Sequence, residues 1–486
     1  MWRPSSPTWV NRLKKVPYDE IVRPDRWLPK GEAYADRNRR KPLVVWSGIP
    51  GEEAVVVVVH EGRNQDVALF KEARHPDRHR VDPPCERYTL CGGCPLMHLD
   101  AQGQRDARWA LVRGALDYGG HRDVPIGTWH PSPEGLQEYR HVVKLGFGYS
   151  DRGHVRVGAW GRRDRRIVPI PRCNVAIPVL RSTMVALAHH TIDLGLRPYA
   201  PETDEGVLRA AVLRASATTG EVLITLVAGR RTRELRELAE RVAGQVSAVV
   251  GVWLHLNTEP GNALFIRDEG GTVPVLPLLG KDSIEETLGS VTYSIGPGDF
   301  FQTHPSIAAE LYERVLDRVQ ADPAVPLVDL YSGVGGIALQ AAARGRWALG
   351  VEGVEGAVTR AREASRRQGL DAEFLCGQVE EVLPGLARRL EGRQPVVVVD
   401  PARRGLEPGV IEGILALRPR EVAYVSCNPR ALAHDLVAFR DAGLKPAEVE
   451  LFDMFPNTAH VEALVTLRAE GAAPPRGRAP RRKVVR

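Results

Sequence analysis

The chain lacks any long hydrophobic run. Nothing in it approaches the roughly 18 consecutive apolar residues that cross a bilayer. Its start, Met1-Trp2-Arg3-Pro4-Ser5-Ser6-Pro7, has no apolar signal core either, so a cytoplasmic protein without a membrane role is expected. Cysteine is scarce: six in 486 residues, unevenly placed, which excludes a disulfide scaffold. An acidic excess is also missing. The formal net charge is +6, which suits a polyanionic partner. Two signatures are absent as well. No Gly-x-Gly-x-x-Gly follows a strand, which removes the dinucleotide fingerprint, and the cysteine spacing is not the Cys-x3-Cys-x2-Cys of radical enzymes.

What remains is an ordinary soluble composition, 43% hydrophobic and 26% charged, in a chain long enough for two or three cores. Residues 1–23 are basic and proline-punctuated and are expected to be mobile. Between Gly31 and Val81 the text reads as short strands, Leu43–Trp46, Ala54–Val59 and Asp66–Phe70, punctuated by glycine turns. That density predicts a small OB-like barrel, with Arg37, Arg39, Arg40 and Lys41 on a loop open to a partner or simply to water. From Arg140 to Val291 the chain stays strand-rich, with one helix over Glu234–Val242.

After Phe301 strands and helices alternate, which predicts a parallel sheet with crossover helices. Ile307–Val319 is an amphipathic helix, and Leu327–Leu330, Ala348–Val351 and Val396–Val399 are strands of that sheet. The chain beyond Leu467 reads as a basic arm. Three chemical centres stand out along this plan.

The first is Glu421–Val425, an apolar strand running into Ser426-Cys427-Asn428-Pro429, where Asn-Pro breaks the strand before a helix. Such a turn presents one thiol at the carboxyl end of a strand, where open α/β sheets hold ligands. The second is Asp329-Leu330-Tyr331-Ser332-Gly333-Val334-Gly335, a strand-ending acid and a glycine turn, followed about twenty residues on by Glu352 at the end of the next strand. Glycines admit a ligand close to the backbone, and an acid there can hold a ribose diol. Asp-x-x-x-Gly-x-Gly suits S-adenosylmethionine, which has no pyrophosphate; a plain structural turn is the alternative. The third is Cys85, Cys91 and Cys94, with Cys173 remote. Four thiolates can close around a 4Fe–4S cluster or a zinc ion, or can be four unrelated thiols; three together with a distant fourth resemble ferredoxin-type ligation. Cys376 reads as a core residue.

Taken together these stretches resemble the RNA (uracil-5-)-methyltransferase family, specifically the bacterial 23S ribosomal RNA enzymes that carry a TRAM domain. The likeness runs from about Gly31 to Leu467 through Ile49-Pro50-Gly51-Glu52, Cys91-Gly92-Gly93-Cys94, Phe300-Phe301-Gln302, Asp400-Pro401, Ser426-Cys427-Asn428-Pro429 and Asp453–Glu462. It implies a Rossmann-like class I methyltransferase α/β domain with an N-terminal OB-like barrel and a central β-rich iron–sulfur domain. The corresponding boundaries are 24–82, 83–290 and 291–467, with a basic tail over 468–486.

The resemblance further implies Cys427 as the nucleophile and Glu462 as the base. Gln302, Asp329, Tyr331, Gly333, Glu352, Gln378 and Asp400 become cofactor-site residues, Asp400 also holding the uracil edge. Cys85, Cys91, Cys94 and Cys173 would carry a 4Fe–4S cluster. S-adenosylmethionine is the implied methyl donor and RNA the partner, ribosomal rather than transfer RNA. A non-catalytic RNA-binding protein is the competing class. Three positions depart from the family pattern: His304 stands for an asparagine, Ala402 for a proline and Gln378 for an acid.

Overall fold

The computed structural model describes residues 17–38, 40–162, 166–269, 271–319 and 322–469. Arg39 and the tail from residue 470 onward therefore lie outside the described residues. Among the described residues, 17–115 with Phe455–His460 form one compact unit, and Leu116–Met454 with 461–469 form the other.

In the first unit the alternation of Glu53–Glu61 buries Ala54, Val56 and Val58 on one face. These pack with Val22, Ala33, Leu43, Val45 and Ala68 as the core of a six-stranded sheet. The strand order is Tyr18–Val22, Glu53–Glu61, Asp66–His75, Leu43–Trp46, Ala33–Ala35 and Arg26–Trp27. Two expectations need correction. Tyr18–Val22 is not mobile: it pairs antiparallel with Ala54–Val58, a ladder that its single buried apolar residue, Val22, hardly advertises. Arg37 is not an open loop cation. It is 7% exposed, hydrogen-bonded to Glu20 at 2.9 Å and paired with Asp66, so it ties strands together.

The second unit contains two large sheets. One has seven strands in the order Ile167–Val168, Val155–Trp160, Val142–Tyr149, Leu208–Ala215, Val222–Ala228, Val249–Leu256 and Leu276–Gly280. Helices Pro178–Asp193 and Arg233–Gln245 share its core, the latter through Leu235, Leu238 and Val242, the helical spacing read from sequence.

The other sheet has eight strands. Ala372–Cys376, Ala348–Glu352, Leu327–Leu330, Val396–Val399 and Glu421–Ser426 run parallel. Glu462–Ala469 follows antiparallel, then Leu444–Phe452, then Ile126–His130 at the edge. The central strands are buried on both faces, as crossover helices require. Arg468 and Ala469, expected in the tail, end a strand instead, and Arg468 Nε donates to Glu421 at 2.7 Å.

The edge strand Ile126–His130 has no sequence signal that would assign it here. It is fastened by charge. Glu450 is fully buried and accepts from Arg314 at 2.6 and 2.9 Å, while Arg318 Nε lies 2.8 Å away. His130 hydrogen-bonds both Glu450, at 2.9 Å, and Glu310, at 2.7 Å, and stacks on Phe452 with ring centres 4.1 Å apart. Burial alone would raise the Glu450 carboxyl. The hydrogen bonds from His130 and Arg314 and the charge of Arg318 outweigh it and hold the group down at about 2.

A carboxyl depressed in the folded state stabilises above its unfolded value and loses that contribution as the pH falls. Glu450→Ala should therefore cost about 3 kcal/mol at neutral pH, the low end for breaking a buried pair, since both arginines keep some water. Denaturant unfolding of both proteins should show the difference shrinking between the ordinary carboxyl range and about pH 2.

Candidate active site

The carboxyl ends of the parallel strands carry the residues singled out from sequence. Leu327–Leu330 delivers Asp329, whose Oδ2 accepts the Ala338 amide at 2.9 Å at the start of the next helix. Burial, helped by the charge of Asp400, pushes this carboxyl up to about 7 against the pull of that amide. The turn that follows needs left-handed backbone at Tyr331 (φ 66°), Gly333 (φ 56°) and Gly335 (φ 90°). A side chain at Gly335 would come within 2.9 Å of both Leu339 and Phe374, whereas at Gly333 no atom lies within 4 Å, so the turn is open there.

Glu352 closes the turn from the neighbouring strand. Its two oxygens accept the amides of Gly333 at 3.0 Å and Val354 at 2.9 Å. The acid that sequence assigns to a ribose is thus also the clamp that shapes the loop beside it. The Tyr331 hydroxyl is buried near the backbone of Glu407 without a well-formed hydrogen bond, and burial raises it to about 12. Gln302 is buried just after the exposed ring of Phe300, and Gln378 is exposed at the start of the helix Val379–Arg389. A glycine turn open on one side, a poorly satisfied phenol and a strand-end carboxylate form a donor set that fits an adenosine-bearing ligand.

The cysteine turn is held from several sides. Ser426 Oγ accepts the Asn428 amide at 3.2 Å, Asn428 Nδ2 donates to the Arg403 carbonyl at 2.8 Å, and Asn428 Oδ1 caps the next helix through the Arg430 amide at 3.2 Å. Pro429 fills the first helical position, where its missing N–H costs nothing. Cys427 is half-buried.

The ladder pairs Ser426 with Ala463, so Cys427 comes opposite Glu462 one residue on; Asp400 follows Val399, which pairs with Tyr424. Glu462 is not the exposed strand-edge carboxylate that it would be without its motif: it is 3% exposed. Burial, then Asp400, raises it well above the ordinary carboxyl range, and burial pushes Asp400 to about 7. Burial and these two acids lift the Cys427 thiol to about 12, with Arg403 opposing. One thiol and two mutually repelling carboxyls thus meet in a water-poor corner, where protons must be shared.

Sequence reading missed Tyr312. It lies on the buried face of the helix Pro305–Arg318 with Ile307, Leu311 and Val315, so its ring reads as core. Its hydroxyl is 2.9 Å from where a side chain at Gly336 would begin. Burial raises the phenol, and the charges of Asp400, Asp329 and Glu462 add to it. The only sequence signal was a hydroxyl in an otherwise apolar stripe.

Two of the departures become intelligible. His304 is buried, its Nε2 hydrogen-bonded to Ser132 Oγ at 2.9 Å and its ring stacked on Tyr139 at 5.1 Å. Burial drives it down to about 4 despite Glu134, so it is a neutral packing and hydrogen-bonding group at physiological pH. Ala402 is exposed. Cys376 is no core residue: it ends the edge strand Ala372–Cys376 and is exposed.

Cys85, Cys91 and Cys94 occupy one loop of the first unit. Amides of Tyr88 and Met97 donate to the carbonyls of Cys85 at 3.0 Å and Cys94 at 3.3 Å, and the Gly93 amide points at Cys91 Sγ at 3.4 Å. Tyr88 ties the loop to the buried His98 Nδ1 at 2.7 Å. Cys173, in the second unit, packs half-buried against the core of the seven-stranded sheet. Thiols are soft donors of the kind that iron–sulfur clusters take, and among the three in this loop Cys91 Sγ has an amide, that of Gly93, aimed at it.

Residues 391–470 match the family model described as tRNA (uracil-5-)-methyltransferase. An uncharacterized RNA methyltransferase of Gloeobacter violaceus is 32% identical over 442 residues, which cover 90% of this chain and 93% of that protein. The chain belongs to the RNA (uracil-5-)-methyltransferase family. A second relative, an uncharacterized RNA methyltransferase of Clostridium tetani, is 29% identical over 448 residues, 91% of this chain and 94% of its own length. The solved tRNA (uracil-54, C5)-methyltransferase of Pyrococcus abyssi, in complex with S-adenosyl-L-homocysteine, aligns with a TM-score of 0.71 at 25% identity, covering 93% of this chain and 100% of that one. This methyltransferase is thus an S-adenosylmethionine-dependent RNA enzyme built on a Rossmann-like domain. No helix among its described residues is long and apolar enough to cross a membrane.

The left-handed turn of this methyltransferase leaves no room for a side chain at Gly335. Gly335→Ala should lower unfolding free energy by at least about 2 kcal/mol, the range for a non-glycine residue forced into that backbone region. Urea unfolding followed by circular dichroism would check it; a loss below about 0.5 kcal/mol, the scatter of surface substitutions, would count against the strain.

Proposed function

We propose that this enzyme methylates C5 of one uridine in 23S ribosomal RNA through a covalent adduct with Cys427. The observation that carries the reading is the thiol of Cys427 beside the paired acids Glu462 and Asp400 at one sheet end.

Uracil C5 is a poor carbon nucleophile, and adding sulfur at C6 divides one hard step into easier ones. The Cys427 thiol gives its proton to Asp400 as the S–C6 bond forms, and the C5=C6 electrons move onto O4 as an enolate. S-adenosylmethionine supplies an electrophilic methyl group, which C5 takes. Glu462 then removes the C5 proton; the C5=C6 bond reforms, the S–C6 bond breaks, and the thiolate recovers its proton from Asp400. Glu462 releases its proton to water, so one proton leaves per methyl transferred. Tyr312 would steady the charge passing between the two carboxyls.

Gln302, Asp329, Tyr331, Gly333, Glu352 and Gln378 would hold the methyl donor, with Asp400 at the boundary between donor and uracil edge. Residues 24–82 would act as an OB-like RNA-binding module, 83–290 as the central domain and 291–467 as the catalytic domain. Cys85, Cys91, Cys94 and Cys173 would hold a 4Fe–4S cluster. With all four thiolates as ligands such a cluster would have no open iron site, which argues for a structural or RNA-positioning role. The target base must leave its stack or lie in an unpaired loop, and basic side chains would bind the backbone in a salt-dependent way. A second reading keeps the chemistry and changes the RNA: the name of the Pyrococcus abyssi protein specifies uridine 54 of transfer RNA.

Anaerobically purified enzyme incubated with the methyl donor and unmodified ribosomal or transfer RNA decides between the two. Digestion and mass spectrometry should find 5-methyluridine in one 23S fragment; product only in transfer RNA would select the second reading. Cys427→Ala should abolish product while binding of S-adenosylhomocysteine changes by less than about threefold, below 1 kcal/mol. Glu462→Gln should instead accumulate an RNA–protein adduct stable on a denaturing gel; absence of that adduct removes Glu462 as the base.

The pH profile has a fixed sign. Asp400 and Glu462 must each be ionised to take a proton, from the thiol and from C5 in turn, and burial raises both, so activity is lost as the pH falls through about 7 and Asp400 takes up a proton. The ratio kcat/KM should therefore rise with pH through that value, reporting groups of the free enzyme.

A further inference from the structure

The helix Pro178–Asp193 of the seven-stranded sheet ends in His189-His190-Thr191-Ile192-Asp193. None of these residues enters the methyl-transfer site. One donor atom from each of His189, His190 and Asp193 lies within 4.8 Å of the others. His189 Nε2 and Asp193 Oδ2, one helical turn apart, are 3.1 Å from each other. The rings of His189 and His190 approach to 5.0 Å at 59°.

An exposed i,i+4 His–Asp pair needs no ligand, being a common surface contact of small value. His190 does not fit that reading. Both of its ring nitrogens are cut off from solvent, and neither has a hydrogen-bond partner in the structure. An imidazole always offers at least one donor and, when neutral, one acceptor, so leaving both unmade is costly.

We propose that His189, His190 and Asp193 form a binding site for a divalent transition cation of the zinc and cobalt class. Two imidazoles and a carboxylate are the nitrogen and oxygen donors such ions take. Bonds of about 2.0–2.2 Å place neighbouring donors roughly 3.3 Å apart around one ion. The His189–Asp193 pair already has that spacing, and a His190 ring nitrogen lies within 4.8 Å of both donors. The ion would sit at the last helical turn, where the unsatisfied carbonyls give a negative end that favours a cation. His189 and Asp193 are 61% and 43% exposed at their side chains, which leaves an entry path, and water would fill the remaining positions.

Cobalt(II) tests this on the full chain, because nitrogen and oxygen ligation gives weak visible bands while thiolate ligation adds intense near-ultraviolet charge transfer. Titration by calorimetry and absorption should find one cobalt per chain with the weak bands. His189→Ala, His190→Ala and Asp193→Asn should each weaken it about tenfold or more, a loss equal to one decade in Kd. Helix content by circular dichroism and methyl transfer should stay at the parent level in all three. Cobalt uptake with thiolate bands alone, or equal affinity in parent and variants, would overturn the site. Unchanged affinity in His190→Ala would overturn the three-ligand assignment.

Discussion

The structure depends on one electrostatic constraint: Asp329, Asp400 and Glu462 converge at the carboxyl ends of parallel strands, where little water reaches them. Three carboxylates cannot all be charged there, so the site must hold protons at neutral pH. That requirement explains what surrounds it. The Ala338 amide relieves Asp329, a neutral phenol, Tyr312, lies against the group, and the Cys427 thiol beside it is held protonated. A thiol that is inert until a substrate displaces the local proton balance is protected from adventitious alkylation and oxidation.

The scaffold supplies this crowding cheaply. Parallel strands end together at one edge, and Asp329, Glu352, Asp400 and Cys427 all lie within one residue of a strand's carboxyl end. Glu462 arrives from the opposite direction, as the first residue of the antiparallel strand, and so faces the cysteine across the ladder. A carboxyl contributed by a strand of reversed direction reaches the corner from the side that the parallel strands leave open.

Sequence made the candidate corner legible because its chemistry is local: an acid closing a strand, a glycine turn and an Asn-Pro break are readable within ten residues. What escaped was set by tertiary partners. Arg37 reads as a loop cation until Glu20 and Asp66 are known to enclose it, and Tyr18–Val22 reads as mobile because only Val22 faces the core. Tyr312 is indistinguishable from a core aromatic by spacing alone. Cys376 looks apolar, yet its strand lies at the sheet edge, where the final side chain meets solvent. The thiol cluster remains a matter of donor type and spacing in the chain.

The edge strand Ile126–His130 has a topological consequence. The eight-stranded sheet is completed by a segment that precedes the whole seven-stranded sheet in the chain, so its last ladder closes over a very long loop. Such closure carries a large loop entropy, and without it Leu444–Phe452 would present an unpaired hydrogen-bonding edge that includes Glu450. A charge on an open edge discourages pairing with another chain. The same carboxylate that anchors the strand is thus also a charge that disfavours pairing of that edge with another chain.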